Sequence, residues 1–113
     1  MALDIRFEML DKGIAKVILA GELDASTAPQ FQKEVEKAAQ QKAKRLVLVV
    51  TDLEYIASAG LRVLVFAKQK MGSMVDVYVV GAQEQVMETI RKTGLHNSVV
   101  SLKEYDAAVI EAL

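Results

Sequence analysis

Residues 46–72 read LVLVVTDLEYIASAGLRVLVFAKQKMG, and this stretch sets the architecture. The unbroken aliphatic run Leu46 to Val50 is long enough for a buried strand and too short for an independent helix. Asp52 is expected to end it. The small residues Ala57, Ser58, Ala59 and Gly60 then lead into Leu61, Val63, Leu64, Val65, Phe66 and Ala67, with Lys68, Gln69 and Lys70 behind them. This order predicts a strand, a turn and a mostly buried helix. Ser58 falls at the helix start, where its hydroxyl would cap the first unpaired amides.

Working outward toward the amino terminus, Leu3, Ile5, Phe7 and Met9 alternate with Asp4, Arg6 and Glu8, the period of two of a half-buried strand. Asp11, Lys12 and Gly13 break the pattern before a second strand over Ile14 to Leu19, and so short a break predicts a hairpin. Ala20 to Asp24 reads as a surface loop. Ser26 or Thr27 can cap the following helix, which carries Pro29 in its first turn and repeats Phe31, Val35, Ala38 and Ala39 at helical spacing.

Toward the carboxyl terminus, Gly72 supplies a helix stop and Met74 to Val80 a further strand, ended by Gly81. Gln83 to Thr93 places Val86, Met87 and Ile90 on one helical face, with Gly94 closing it. Val99, Val100 and Leu102 suggest an edge strand, and Tyr105, Ala108, Ile110 and Leu113 a last helix packed by one side. The expected fold is α/β, a mixed sheet of about five strands with right-handed crossovers. Because Asp4, Arg6 and Glu8 keep one face of the first strand wet, the helices are expected mainly on one face of the sheet.

The totals narrow the function. A chain of 113 residues with 52% hydrophobic residues and one proline fits one folded domain over residues 1–113. A formal net charge of −1 lacks the basic excess that nucleic acid or an anionic membrane demands. The start MALDIRFEML is not patterned as a signal peptide, and no run approaches the roughly 20 apolar residues of a membrane span. A cytoplasmic location is expected. With no cysteine and one histidine, thiolate chemistry is excluded, and catalysis, metal binding and cofactor binding have little to use.

Candidate acid–base pairs are limited to Glu22 with Asp24 and Asp52 with Glu54, which read as turn and solvent-facing pairs; His96 is placed in a loop. The glycines are dispersed one per connection and form no phosphate-cradling loop. A small α/β enzyme would need a deep polar pocket with at least two converging ionisable groups, and the single histidine, absent cysteine and unclustered carboxylates speak against it. Ser58 has two readings: a structural cap, or an exposed hydroxyl whose phosphate would meet the positive end of a helix dipole.

The segment Gly21-Glu22-Leu23-Asp24, the helix after it, and above all Asp52-Leu53-Glu54-Tyr55-Ile56-Ala57-Ser58-Ala59-Gly60-Leu61 resemble the STAS domain, in particular the single-domain bacterial anti-sigma factor antagonists. The resemblance runs from Leu3 to about Ala108. It implies a STAS-like fold and a partner-switching function without catalysis. In the systems the chain resembles, the unphosphorylated antagonist binds an anti-sigma factor that is also a serine kinase of the histidine-kinase-like ATPase type; phosphorylation breaks the complex, and a metal-dependent serine phosphatase restores it, and the resemblance implies the same partners here. It also implies Ser58 as phosphoacceptor and a partner surface of Glu22, Leu23, Asp24, Ser26, Ala57, Ser58, Ala59, Gly60, Leu61 and Arg62. Two positions depart from the pattern: Ala57 stands where the family usually has aspartate, and Arg62 where it often has a small residue. The alternative is a STAS module with other partners, in a stressosome, a secretion-linked signalling pathway or a lipid-transport complex.

Overall fold

The computed structural model describes residues 3–72 and 74–112. Five strands, β1 (Leu3–Leu10), β2 (Ile14–Leu23), β3 (Arg45–Ile56), β4 (Asp76–Val80) and β5 (Val100–Leu102), form one sheet in the order β1-β2-β3-β4-β5. The helices are α1 (Ala28–Gln40), α2 (Ser58–Met71), α3 (Glu84–Lys92) and the single turn α4 (Ala107–Ile110). The first two strands form the expected antiparallel hairpin, and all later pairs are parallel. Three successive crossovers step the same way across the sheet, so a common handedness puts α1, α2 and α3 on the same face.

That face holds the larger core. Phe31, Val35 and Ala38 of α1, Leu61, Leu64 and Ala67 of α2, and Val86 and Ile90 of α3 pack on Val17, Leu19, Leu46, Leu48, Val77 and Val79. Phe31, Leu46 and Val35 have no exposed surface. The Leu46–Val50 run is central, as its composition requires, because Val47 and Val49 face the opposite side and meet apolar neighbours there too.

Two strands are longer than the sequence suggests. β2 continues through Leu23, so the expected loop from Ala20 to Asp24 is largely strand; β3 continues to Ile56, so Asp52 does not end it. The β2–β3 register explains both. Ile18 pairs with Val49, Ala20 with Asp52, and Glu22 with Tyr55, so β3 takes an extra residue twice along this length. Each bulge restores the buried face after three residues instead of two, and Val50, Leu53 and Ile56 all point into the helix-covered core. Thr51, Asp52, Glu54 and Tyr55 stay exposed.

Smaller differences lie near the carboxyl terminus. Met74, expected in a strand, is exposed, and β4 begins at Asp76. Gly72 ends α2 as expected, with φ of 94° and its amide donating to the Lys68 carbonyl. The last helix covers the other face of the sheet at one end only. Ile110 is fully buried against Ile14, Val47, Tyr78 and Val80, and the Arg45 guanidinium donates to Tyr78 Oη at 2.6 Å and to the Ala112 carbonyl at 3.0 Å. Beside it, burial and then the Glu111 carboxylate, which accepts from Tyr105 Oη at 2.8 Å, push the Tyr105 phenol up to about 12. Leu113, expected on the same helix face, lies outside the described residues. The rest of this face, around Asp4, Arg6, Ile18, Ala20 and Asp52, is open.

Because Ile110 is the buried anchor of α4, Ile110→Ala is expected to lower unfolding free energy by about 2–5 kcal/mol, measured by urea denaturation. A change below about 0.5 kcal/mol would show that α4 contributes little to the core.

Candidate functional site

The bulged ends of β2 and β3 and the first turn of α2 meet at one rim of the sheet. The Ala57 amide donates to the Leu23 carbonyl at 2.8 Å, and the Ala57 carbonyl accepts from the Leu61 amide at 3.1 Å. Ala57 therefore belongs to both the sheet and the helix. It is the extended N-cap residue of α2, with φ of −94° and ψ of 172°, and its methyl group offers no capping acceptor. The expectation that Ser58 caps α2 is corrected: Ser58 is the first helical residue, and no side chain caps this end. Its side chain stands exposed.

Gly60 fixes the depth at which α2 enters. A Cβ there would lie 2.7 Å from Leu23 Cγ, 2.8 Å from Leu23 Cδ2 and 3.0 Å from Ile56 Cγ1. Leu23 has no exposed surface, so it has nowhere to retreat. The glycine is required for close approach, since its backbone lies within the ordinary helix.

The loop from Asp24 to Thr27 is held by its own side chains. Asp24 Oδ1 accepts from the Ser26 amide at 2.9 Å, Ser26 Oγ at 2.7 Å, the Thr27 amide at 3.1 Å and Thr27 Oγ1 at 3.2 Å. Thr27 Oγ1 accepts from the Asp24 amide, and its single hydrogen is shared between Asp24 Oδ1 and the Glu22 carbonyl, 3.0 Å away. The Ser26 hydroxyl, and with it the other three donors, holds the Asp24 carboxyl below its ordinary 3.8. Neither Ser26 nor Thr27 caps α1 in the expected way; Asp24 organises the turn, and its carbonyl accepts the Ala28 amide at 2.8 Å.

The ten expected partner-contact residues thus separate by depth. Ser26, Ser58 and Arg62 are exposed, and Glu22, Asp24, Ala57 and Ala59 are half-buried. Leu23, Gly60 and Leu61 are buried and shape the rim from beneath. Sequence reasoning passed over Tyr55, 51% exposed and paired with Glu22 in the β2–β3 register. It also missed a shallow, mainly apolar groove lined by Ser58, Leu61, Arg62, Val65, Thr93 and Leu95. Spacing on α2 held part of that signal, because Ser58, Leu61, Arg62 and Val65 share one helical stripe. Among the described residues, no group of three or more His, Asp or Glu side chains is placed to hold a metal ion, and no helix is long and apolar enough to cross a membrane.

A mixed sheet with three crossover helices on one face and a serine at the bulged rim defines a class of small domain, and the STAS domain model matches residues 10–108. The chain belongs to the STAS domain family. It is 26% identical over 83 residues to the anti-sigma-F factor antagonist RsfB of Mycobacterium tuberculosis, covering 74% of this chain and 68% of the relative. An anti-sigma factor antagonist from Mycobacterium paratuberculosis has a crystal structure similar at a TM-score of 0.85 with 25% identity, covering 96% of this chain and 92% of that one. The Bacillus cell fate determinant SpoIIAA in its phosphorylated form shares the fold at a TM-score of 0.72 and 15% identity, over 96% of this chain and 97% of that one.

Two substitutions test this geometry. Gly60→Ala should destabilise the protein, since about 1–3 kcal/mol of overpacking exceeds a helix-propensity gain of about 1 kcal/mol. A rise in Tm would show that the rim yields. Ala57→Asp should stabilise by about 0.5–2 kcal/mol in urea unfolding, by supplying the missing cap next to the positive helix end. No gain would mean that the amides of this turn are satisfied in another way.

Proposed function

We propose that this chain is an anti-sigma factor antagonist, acting in the cytoplasm as one STAS unit, which binds an anti-sigma factor with serine-kinase activity and is released from it by phosphorylation at Ser58. The observation that carries this reading is the exposed Ser58 hydroxyl at the first turn of a helix anchored to the sheet. Around it, Glu22 at the end of β2, the loop from Asp24 to Thr27, Tyr55 and Arg62 offer polar and aromatic contacts on neighbouring elements.

The chemistry required of this chain is small. A kinase of the histidine-kinase-like ATPase type supplies ATP, magnesium and the base. Ser58 Oγ attacks the γ-phosphorus; the O–P bond forms as the bond to ADP breaks, and the hydroxyl proton passes to the base. A metal-dependent serine phosphatase returns the hydroxyl by hydrolysis. In this reading the antagonist is the substrate and the recognition surface, and it performs no catalysis.

The phosphate introduces a charge of about −1.5 to −2 at neutral pH. On the free protein it meets water and the positive end of α2, a favourable setting. Within a complex that covers Ser58, the same charge must be desolvated, and any partner carboxylate nearby repels it. Each 1.4 kcal/mol of that difference weakens binding about tenfold.

The test compares affinity for the kinase recovered by purification from the native source. Unmodified protein and Ser58→Ala should bind alike, while protein phosphorylated at Ser58, verified by site-resolved mass analysis, should bind at least about tenfold more weakly. Equal affinities would remove Ser58 from the switch. Recovery of a transport ATPase or a stressosome component in place of a kinase would favour a STAS module with other partners.

A further inference from the structure

The open edge of β1 has features that the Ser58 surface does not use. β1 pairs with β2 alone, leaving one row of its backbone N–H and C=O groups without a strand partner among the described residues. It keeps regular register from Leu3 to Leu10, with no bulge and no proline. Bulges and proline are among the devices by which edge strands ordinarily avoid pairing with other chains, and β1 has neither; exposed charges are another, and those of β1 alternate in sign. The opposite edge, β5, is only three residues long. Along β1, Asp4, Arg6 and Glu8 are exposed, whereas Ile5, Phe7 and Met9 are half-buried against the margin of the core. The Lys37 ammonium lies 4.6 Å from the centre of the Phe7 ring.

We propose that two copies of this chain pair antiparallel along β1, about a two-fold axis at Phe7, joining their sheets into one. Two-fold pairing is self-complementary, so each contact away from the axis occurs twice. With the axis at Phe7, Arg6 of each copy faces Glu8 of the other, Ile5 faces Met9, and the Phe7 rings meet. Both charge pairs are attractive, and the aliphatic and aromatic pairs fall on the opposite, helix-covered side. Neighbouring registers are poorer. An axis at Arg6 opposes two guanidinium groups and sets Asp4 against Glu8, and an axis at Glu8 opposes two carboxylates. An axis at Ile5 pairs Asp4 with Arg6 but aligns only Leu3 to Phe7, whereas the Phe7 register aligns Asp4 through Leu10. The occupant is therefore a second copy, selected by alternating charge. β3, which leads into Ser58, lies two strands inward from this edge, so the paired form would present two Ser58 surfaces.

Sedimentation equilibrium of the full chain over a range of concentrations tests the pairing. Wild-type protein should show a reversible monomer–dimer equilibrium, and Arg6→Glu or Glu8→Arg alone should weaken it about tenfold or more. Mixing the two variants should restore dimer, since one presents only carboxylates at these positions and the other only guanidinium groups. The double variant Arg6→Glu/Glu8→Arg should also recover, to within about threefold of wild type. Thermal unfolding of each variant separates loss of association from loss of fold, because Glu8 also faces Lys16 within the hairpin. Wild-type protein that remains monomeric at about 1 mM would overturn the proposal. So would single variants that associate like wild type, or a mixture no better than its components.

Discussion

A side chain on residue 60 would need the space that Leu23 already fills, and much of the rim follows from this contact. With hydrogen there, α2 starts directly against the last residues of β2 and β3, close enough for the Ala57 amide to reach the Leu23 carbonyl. The turn between strand and helix is then a single residue. The helix entry is held by close packing of the Gly60 backbone on Leu23 and Ile56, at the backbone of Ala57 and by burial of Leu61 three residues after Ser58. Ser58 is left at a fixed place in the first turn with its side chain exposed, so a buried part of the rim positions an exposed one.

The sequence reveals the middle of this structure better than its rim. Leu46 to Val50 could be read as a central strand because an aliphatic run buried on both faces has few other uses. The extension to Ile56 was hidden by two bulges. They convert the expected alternation into buried residues three apart, Val50, Leu53 and Ile56, a spacing that resembles neither a plain strand nor a helix. Tyr55 was lost for the same reason, since a residue past the supposed end of a strand carries no predicted face. The wet face of β1, by contrast, correctly signalled helices gathered mainly on one side, because charges at Asp4, Arg6 and Glu8 are incompatible with a second complete helical layer.

Capping was legible in part: Thr27 does occupy the N-cap position of α1, but without the side-chain bond its chemistry suggests. Ser26, Thr27 and Ser58 are residue types that cap helices, yet none caps in the expected way. At the first helix, Thr27 holds the N-cap position, but its hydroxyl turns back onto Asp24 and the Glu22 carbonyl, Pro29 has no amide to be capped, and Asp24 Oδ1 gathers the Ser26 and Thr27 donors of the loop instead. At the second, the Ala57 amide bond to β2 shifts the cap position one residue ahead of Ser58. Such one-residue displacements follow from tertiary contacts and have no local signature.

The uncapped start of α2 bears on how a switch at Ser58 would act. Where the family usually carries aspartate, Ala57 leaves the first turn without a fixed negative group, and Arg62 adds a positive one a turn later. Both changes make the local field more welcoming to an added phosphate. Refolding is not needed to register that phosphate, and the anchoring at Gly60 and Ala57 opposes it. The difference between two binding states would then reside in the interface: the same charge that the free surface tolerates is costly where a partner excludes water. Under the proposed function, Ala57 and Arg62 place most of the discrimination on the partner's side of the contact, and the rigid rim supplies the fixed geometry against which it operates.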